Sequence, residues 1–132
     1  MTKSYKMVVL KYMLEKGPSK WFETITPHDV AAYFHHFYMA KEYRKRIDFS
    51  DNNTKKLWEF HADSVAQLIA RMPMSKWVGK DGLISFENQK FQITFAIDKE
   101  DEEILHKMTE DICDYKLHVY FERKNKRALI VN

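Results

Sequence analysis

Apolar positions along the chain change their period twice, and those changes divide it into elements. Met7, Leu10, Met13 and Leu14 fall three or four residues apart, the spacing of one helix face. A helix is therefore predicted over Tyr5–Lys16, with Ser4 as its N-cap and Gly17-Pro18 as its stop. A second helical pattern follows "TPHD", where Thr26 is placed to cap, Pro27 takes the first helical position and Asp29 lies in the first turn. Val30, Tyr33 or Phe34, Phe37 and Tyr38 form its apolar stripe, and this helix is expected to run to about Arg46.

Residues 47–63 are polar with isolated aromatics and read as a long loop holding at most one helical turn. Asp63 or Ser64 then caps a third helix, "VAQLIARM", with Val65, Leu68, Ile69 and Met72 inward and Pro73 closing it. Beyond "MSKWVGKDG" the period becomes two, and "LISFE" and "KFQITFAI" flank Asn88-Gln89 as the arms of a β-hairpin. Asp98 caps a last long helix, in which Ile104, Met108, Ile112, Tyr115 and Val119 recur at helical spacing. A basic run at residues 123–127 and a short apolar tail, "ALIV", finish the chain.

The order α-α-α-β-β-α, in a single domain over residues 1–132, places the protein in the α+β class. Two capped helices, a third helix and a hairpin is the chain order of a winged helix-turn-helix. The 47–63 connection exceeds the three or four residues of a tight helix-turn-helix. The expected architecture is thus a winged-helix-like helical core with a β-hairpin and a long C-terminal helix.

Composition adds bounds rather than a function. Hydrophobic residues make up 45% of the chain and aromatics 14%, enough for a core without disulfides or metals. One cysteine, Cys113, rules out an internal disulfide and suits a reducing compartment, so a cytoplasmic location is expected. No segment approaches the roughly 20 apolar residues of a membrane span, so no membrane partner is expected.

The net charge of +3 is mild, which makes its distribution the informative quantity. Lys41, Arg44, Lys45 and Arg46 crowd the end of the second helix, and Lys55 and Lys56 follow it. Lys80 and Lys90 flank the hairpin, and Arg123, Lys124, Lys126 and Arg127 form the C-terminal run. These residues are expected to contact phosphates, displacing condensed counterions. Cations at a helix C-terminus also suit the helix dipole, and Glu42 and Asp48 dilute the cluster. Trp58 and Phe60, aromatic residues in a loop, either cover the edge of the core or form an apolar patch that docks a protein partner.

Candidate chemistry is sparse. His35 and His36 are adjacent and point about 100° apart on a helix, so one packs and the other is solvated; no metal site is expected. Asp81, Glu87 and Lys90 approach the acidic pattern of a magnesium-dependent nuclease, but with one residue too many between Glu and Lys. No nucleophile elbow frames a serine, and neither catalytic residue nor cofactor is expected.

Four blocks carry a family resemblance: "KSYKMVVLKYMLEKG", "ITPHDVAAYFHHFYMAKEYRKRIDFSD", "VAQLIARMPMSKW" and "GLISFEN". From about Lys3 to Lys124 the chain resembles the C-terminal region of bacterial DEAD/DEAH-box (superfamily 2) helicases of restriction-like and phage-defence systems. It has no GxxxxGK[ST] phosphate loop and no DEAD or DEAH string, so the resemblance implies an accessory module, not a motor. The expected function is non-catalytic binding of DNA. The alternatives are a protein-interaction module that docks a helicase, methylase or nuclease, and, more weakly, a metal-dependent nuclease fragment. The long apolar spacing of the last helix and the apolar tail suit a homodimer and intramolecular packing equally well.

Overall fold

A computed structural model describes residues 3–131, the side chains of 128–131 excepted, so the apolar tail lies outside the described side chains. The chain is α+β, with a two-stranded antiparallel sheet and a long C-terminal helix. Its helices are α1 (Tyr5–Leu14), α2 (Pro27–Met39), α3 (Glu42–Asp48), α4 (Asn52–Lys55), α5 (Ala62–Ile69), α6 (Ser75–Trp77) and α7 (Glu102–Val131). The strands are β1 (Ile84–Glu87) and β2 (Lys90–Ile93). In the core, α2 packs against α1 and α5, while α7 lies across α1 and α3.

The start of α2 forms as its sequence dictates. Thr26 accepts from the Asp29 N–H, and Asp29 accepts from the Thr26 N–H at 2.8 Å, a reciprocal capping box with Pro27 inside it. The end of α2 does not follow the pattern. The helix expected to reach Arg46 stops at Met39, Lys41 turns extended, and α3 begins at Glu42. No Gly or Pro marks the break; tertiary contacts impose it. Breaking there lays the Arg44 guanidinium on the Phe37 ring and sends Asp48 into the core.

Asp48 is the polar centre of that core and is fully buried. Its carboxylate accepts from the Ser4 N–H at 3.0 Å, from the Ser4 hydroxyl and from the Tyr120 hydroxyl. Its carbonyl accepts from the Tyr5 hydroxyl at 2.6 Å, and the Ser4 and Tyr38 hydroxyls share a bond of the same length. Ser4 therefore occupies the N-cap of α1 without capping it, because its hydroxyl is spent on Asp48 and Tyr38. Around this network Tyr38 stacks on Phe49 at 4.8 Å, and Tyr5 and Phe34 complete the aromatic layer. This is also why the buried positions of α1 are Tyr5, Val8, Val9, Met13 and Leu14, while Met7 and Leu10 are only half-buried.

The polar connection 49–60 holds one helical turn, α4. Asp51 caps it through the N–H groups of Asn53 and Thr54, and the Thr54 bonds hold its carboxyl below the usual range. Next, α5 starts at Ala62, with Asp63 in its first turn rather than at the cap. Pro73 does not close the third helix. The chain passes through a π-helical turn, Ala70–Met74, in which the Ser75 N–H donates to the Ala70 carbonyl five residues back, and continues as α6. Proline has no N–H to give, and a local shift to five-residue bonds carries the ladder past it.

The hairpin pairs Ile84 with Ile93 and Glu87 with Lys90. Asn88 and Gln89 have φ of 52° and 65°, the left-handed pair that a type I′ turn needs. Glutamine takes that conformation at a cost, whereas glycine takes it freely. Gln89→Gly should therefore raise stability by about 0.5–1 kcal/mol, read as a higher midpoint in urea with an unchanged slope.

The hairpin is tied back to the helical body. Ile25, between α1 and α2, pairs antiparallel with Phe91 through two bonds of 3.0 and 2.8 Å. Beneath the sheet, the Trp77 ring meets Phe91 at 5.8 Å. Helix, short bridge, helix, helix and hairpin is the winged-helix chain order, here with α3 and α4 inserted before the third helix.

Candidate nucleic-acid interface

Several of the expected basic residues are engaged internally. Arg44 is half-buried: its guanidinium carbon lies 3.9 Å from the Phe37 ring centroid, and it donates to the Phe37 carbonyl at 3.0 Å. Lys45 bridges to Glu42 at 3.1 Å and lies 4.4 Å over the Trp58 ring. Arg46 donates to Asn125 of α7 at 2.9 Å, which brings the expected helix-2 cluster against the C-terminal run. Lys41 is exposed. Charge density in the sequence overstated how much of this cluster is free for a ligand.

The C-terminal run is helical, as part of α7. Lys126 pairs with Glu122 at 2.9 Å, and Lys124 lies over the Tyr120 ring. Arg123 and Arg127 are exposed and, with Lys6, Lys116 and Lys124, line a groove of about 530 Å³ between α1 and α7.

Lys55, Lys56, Lys80 and Lys90 are all exposed. Lys56 lies beside a face that the sequence did not single out. The buried side of α5 is Val65, Ala66, Leu68 and Ile69, packed on α2. Its outward side presents Ser64 and Gln67, and Arg71 continues the same row at the π turn. Gln67 and Arg71 form the ridge between two clefts. One is about 420 Å³, with His28, Ser75, Phe86 and Gln89 on its far wall; the other is about 410 Å³, with Asn53, Lys56 and His61. Among the described residues, no hydrogen bond or ion pair holds the Gln67 or Arg71 side chain. Asp63, the acidic group at the start of α5, pairs with His28 at 2.9 Å. The signal available in the sequence was a polar i, i+3, i+7 row opposite a strongly apolar face, set by Ser64, Gln67 and Arg71.

The remaining candidates resolve individually. The indole N–H of Trp58 donates to the Phe49 carbonyl at 2.7 Å, and the His35 ring packs on Phe60 at 5.1 Å, although both aromatics remain about 40% exposed. His36 is exposed, so the pair divides into one packed and one solvated ring. Asp81 accepts from the Leu83 N–H in the approach to β1, and Glu87 lies at the far end of that strand, opposite Lys90. Among the described residues no cluster of three His, Cys, Asp or Glu side chains has metal-binding geometry. Cys113 is buried, its thiol donates to the Met7 carbonyl, and burial pushes its pKa up to about 11, which keeps it a thiol at neutral pH. Among the described residues no helix is long and apolar enough to cross a membrane.

The fold is α+β, helices with a two-stranded antiparallel sheet and a long C-terminal helix. No protein-family model, curated protein or solved structure matches the chain.

Proposed function

We propose that the protein is a non-catalytic DNA-binding accessory module that acts in the cytoplasm and presents α5 to the duplex. One observation carries the reading: the outward row Ser64, Gln67 and Arg71 is exposed and, among the described residues, its side chains make no hydrogen bond or ion pair, on the helix that stands second in the helix-turn-helix order. Gln and Arg are the side chains suited to bidentate contact with adenine and guanine edges. Lys56 on one flank and Lys76 and Lys90 on the other are exposed cations for the phosphates. The hairpin beside α5, anchored at Phe91, takes the place of the wing. The relation to helicases of restriction-like and phage-defence systems is part of this proposal and rests on the sequence resemblance. Docking of a helicase or nuclease partner through Trp58 and Phe60 has weaker support, since the Trp58 indole is tied to Phe49 and covered by Lys45.

The internal contacts of Arg44, Lys45 and Arg46 make reversal of those residues a poor test, because it would disturb packing as well as charge. Arg71→Glu with Lys56→Glu is the sharper variant. Titrated against labelled duplex and forked DNA at two salt concentrations, the native chain should bind more weakly as salt rises. The double reversal should cost at least about tenfold in affinity, each lost contact being worth roughly 1–3 kcal/mol. Binding that survives the reversal but is lost on Arg123→Glu with Arg127→Glu would move the interface to α7. Absence of binding at low salt would end the reading.

A further inference from the structure

The stripe Ile104, Met108, Ile112 and Tyr115, the periodic face of the last helix, does not pack on the body. These residues are 60%, 53%, 53% and 69% exposed, and Val119 continues the row half-buried. The face of α7 that docks on α1 and α3 is instead Cys113, Leu117, Tyr120 and Phe121. At 100° per residue the two faces lie on nearly opposite sides of the helix. From Met108 to Val119 the spacing is four, three, four, the alternation of a coiled-coil seam.

Charge along α7 is polarised. Residues 98–114 hold eight carboxylates and two lysines, and residues 115–127 hold five basic side chains and one carboxylate. The basic half opens onto the α1–α7 groove, where Lys6 joins it. A helix seated on the seam would meet an acidic end and a basic end in turn. A second α7 running the opposite way presents the matching order, whereas a parallel one would set like charges together.

We propose that the protein pairs with a second copy of itself through an antiparallel α7–α7 seam. In the register that sets Ile112 against Tyr115 of the partner subunit, Met108 meets Val119 of the partner subunit. Glu102 then flanks Arg123 of the partner subunit, and Asp111 flanks His118 of the partner subunit. The two-fold axis repeats each contact, so the interface closes at two chains. The α1–α7 groove receives the acidic half of the opposing helix, and α5, packed on α2, stays free on each subunit.

Sedimentation equilibrium of the full chain tests the pairing. The native protein should show a concentration-dependent dimer, and Ile112→Glu with Tyr115→Glu should be monomeric with unchanged circular dichroism and melting, since both sites are exposed. Glu102→Arg and Arg123→Glu should each weaken self-association at least about tenfold. Mixing those two variants should restore dimers, because every flanking pair in the mixed antiparallel dimer is again of opposite sign. A native chain that stays monomeric at its highest soluble concentration overturns the proposal and leaves the seam to a different protein. Dimers that form without rescue on mixing overturn the antiparallel arrangement.

Discussion

Asp48→Ala should lower the stability of the fold by about 3–5 kcal/mol, a fifth or more of what a typical domain possesses. The carboxylate is fully buried and accepts from the Ser4 N–H and from the Ser4 and Tyr120 hydroxyls. Removing it withdraws the acceptor from donors that stay shut away from water, and each stranded donor costs about 1–3 kcal/mol. The cavity left by the side chain adds to the loss. Asp48→Asn should cost less, because one oxygen still accepts while the amide turns donors toward donors. Urea unfolding of the two variants beside the native chain gives the order directly. A loss under about 1 kcal/mol for the alanine would mean that water enters and takes the place of the carboxylate.

The same network should make the fold sensitive to alkali. Burial first, and the charge or hydrogen bond of Asp48 next, raise the ionisation of Tyr5, Tyr38 and Tyr120 far above the ordinary value near 10. In the unfolded chain these phenols ionise near their ordinary value, while in the fold they stay neutral. The stability they lend is thus complete below about pH 10 and is lost as pH rises beyond it, by up to about 1.4 kcal/mol per pH unit for each tyrosine. Three tyrosines together give a slope near 4 kcal/mol per unit. Urea midpoints between about pH 9 and pH 11 should trace that fall, and Tyr38→Phe should flatten it by one share. A midpoint independent of pH across this range would show that the phenols ionise within the fold.

Local chemistry carried much of this architecture into the sequence. The Thr26 cap with Asp29 in its first turn and the two-residue period around Asn88-Gln89 are interactions within a few residues, and such signals survive in a single chain. What could not be read depends on distant partners. The break at Lys41 exists because Arg44 finds Phe37 and Asp48 finds Ser4 and Tyr120, none of which the local spacing announces. Pro73 passes through its helix because a change of hydrogen-bond period is invisible in composition. On α7 the regular apolar row was the exposed one, and the docked face of Cys113, Leu117, Tyr120 and Phe121 hides a thiol and a tyrosine among its apolar groups. The candidate interface was missed for a similar reason. Charge runs draw attention, whereas a row of Ser64, Gln67 and Arg71 becomes meaningful only when the fold turns its side chains outward, opposite the face that packs on α2.

The hydroxyl donors to Asp48 come from both ends of the chain, and that bears on the order in which the protein can be completed during synthesis. Ser4, Tyr5, Tyr38 and Asp48 are translated early, but Tyr120 arrives only with the last stretch of α7. Until it emerges from the ribosome, the nascent core holds a carboxylate short of one donor and a face of α1 that nothing covers. Native closure therefore waits on Tyr120, and a chain cut before residue 120 would lack the piece that seals the polar centre.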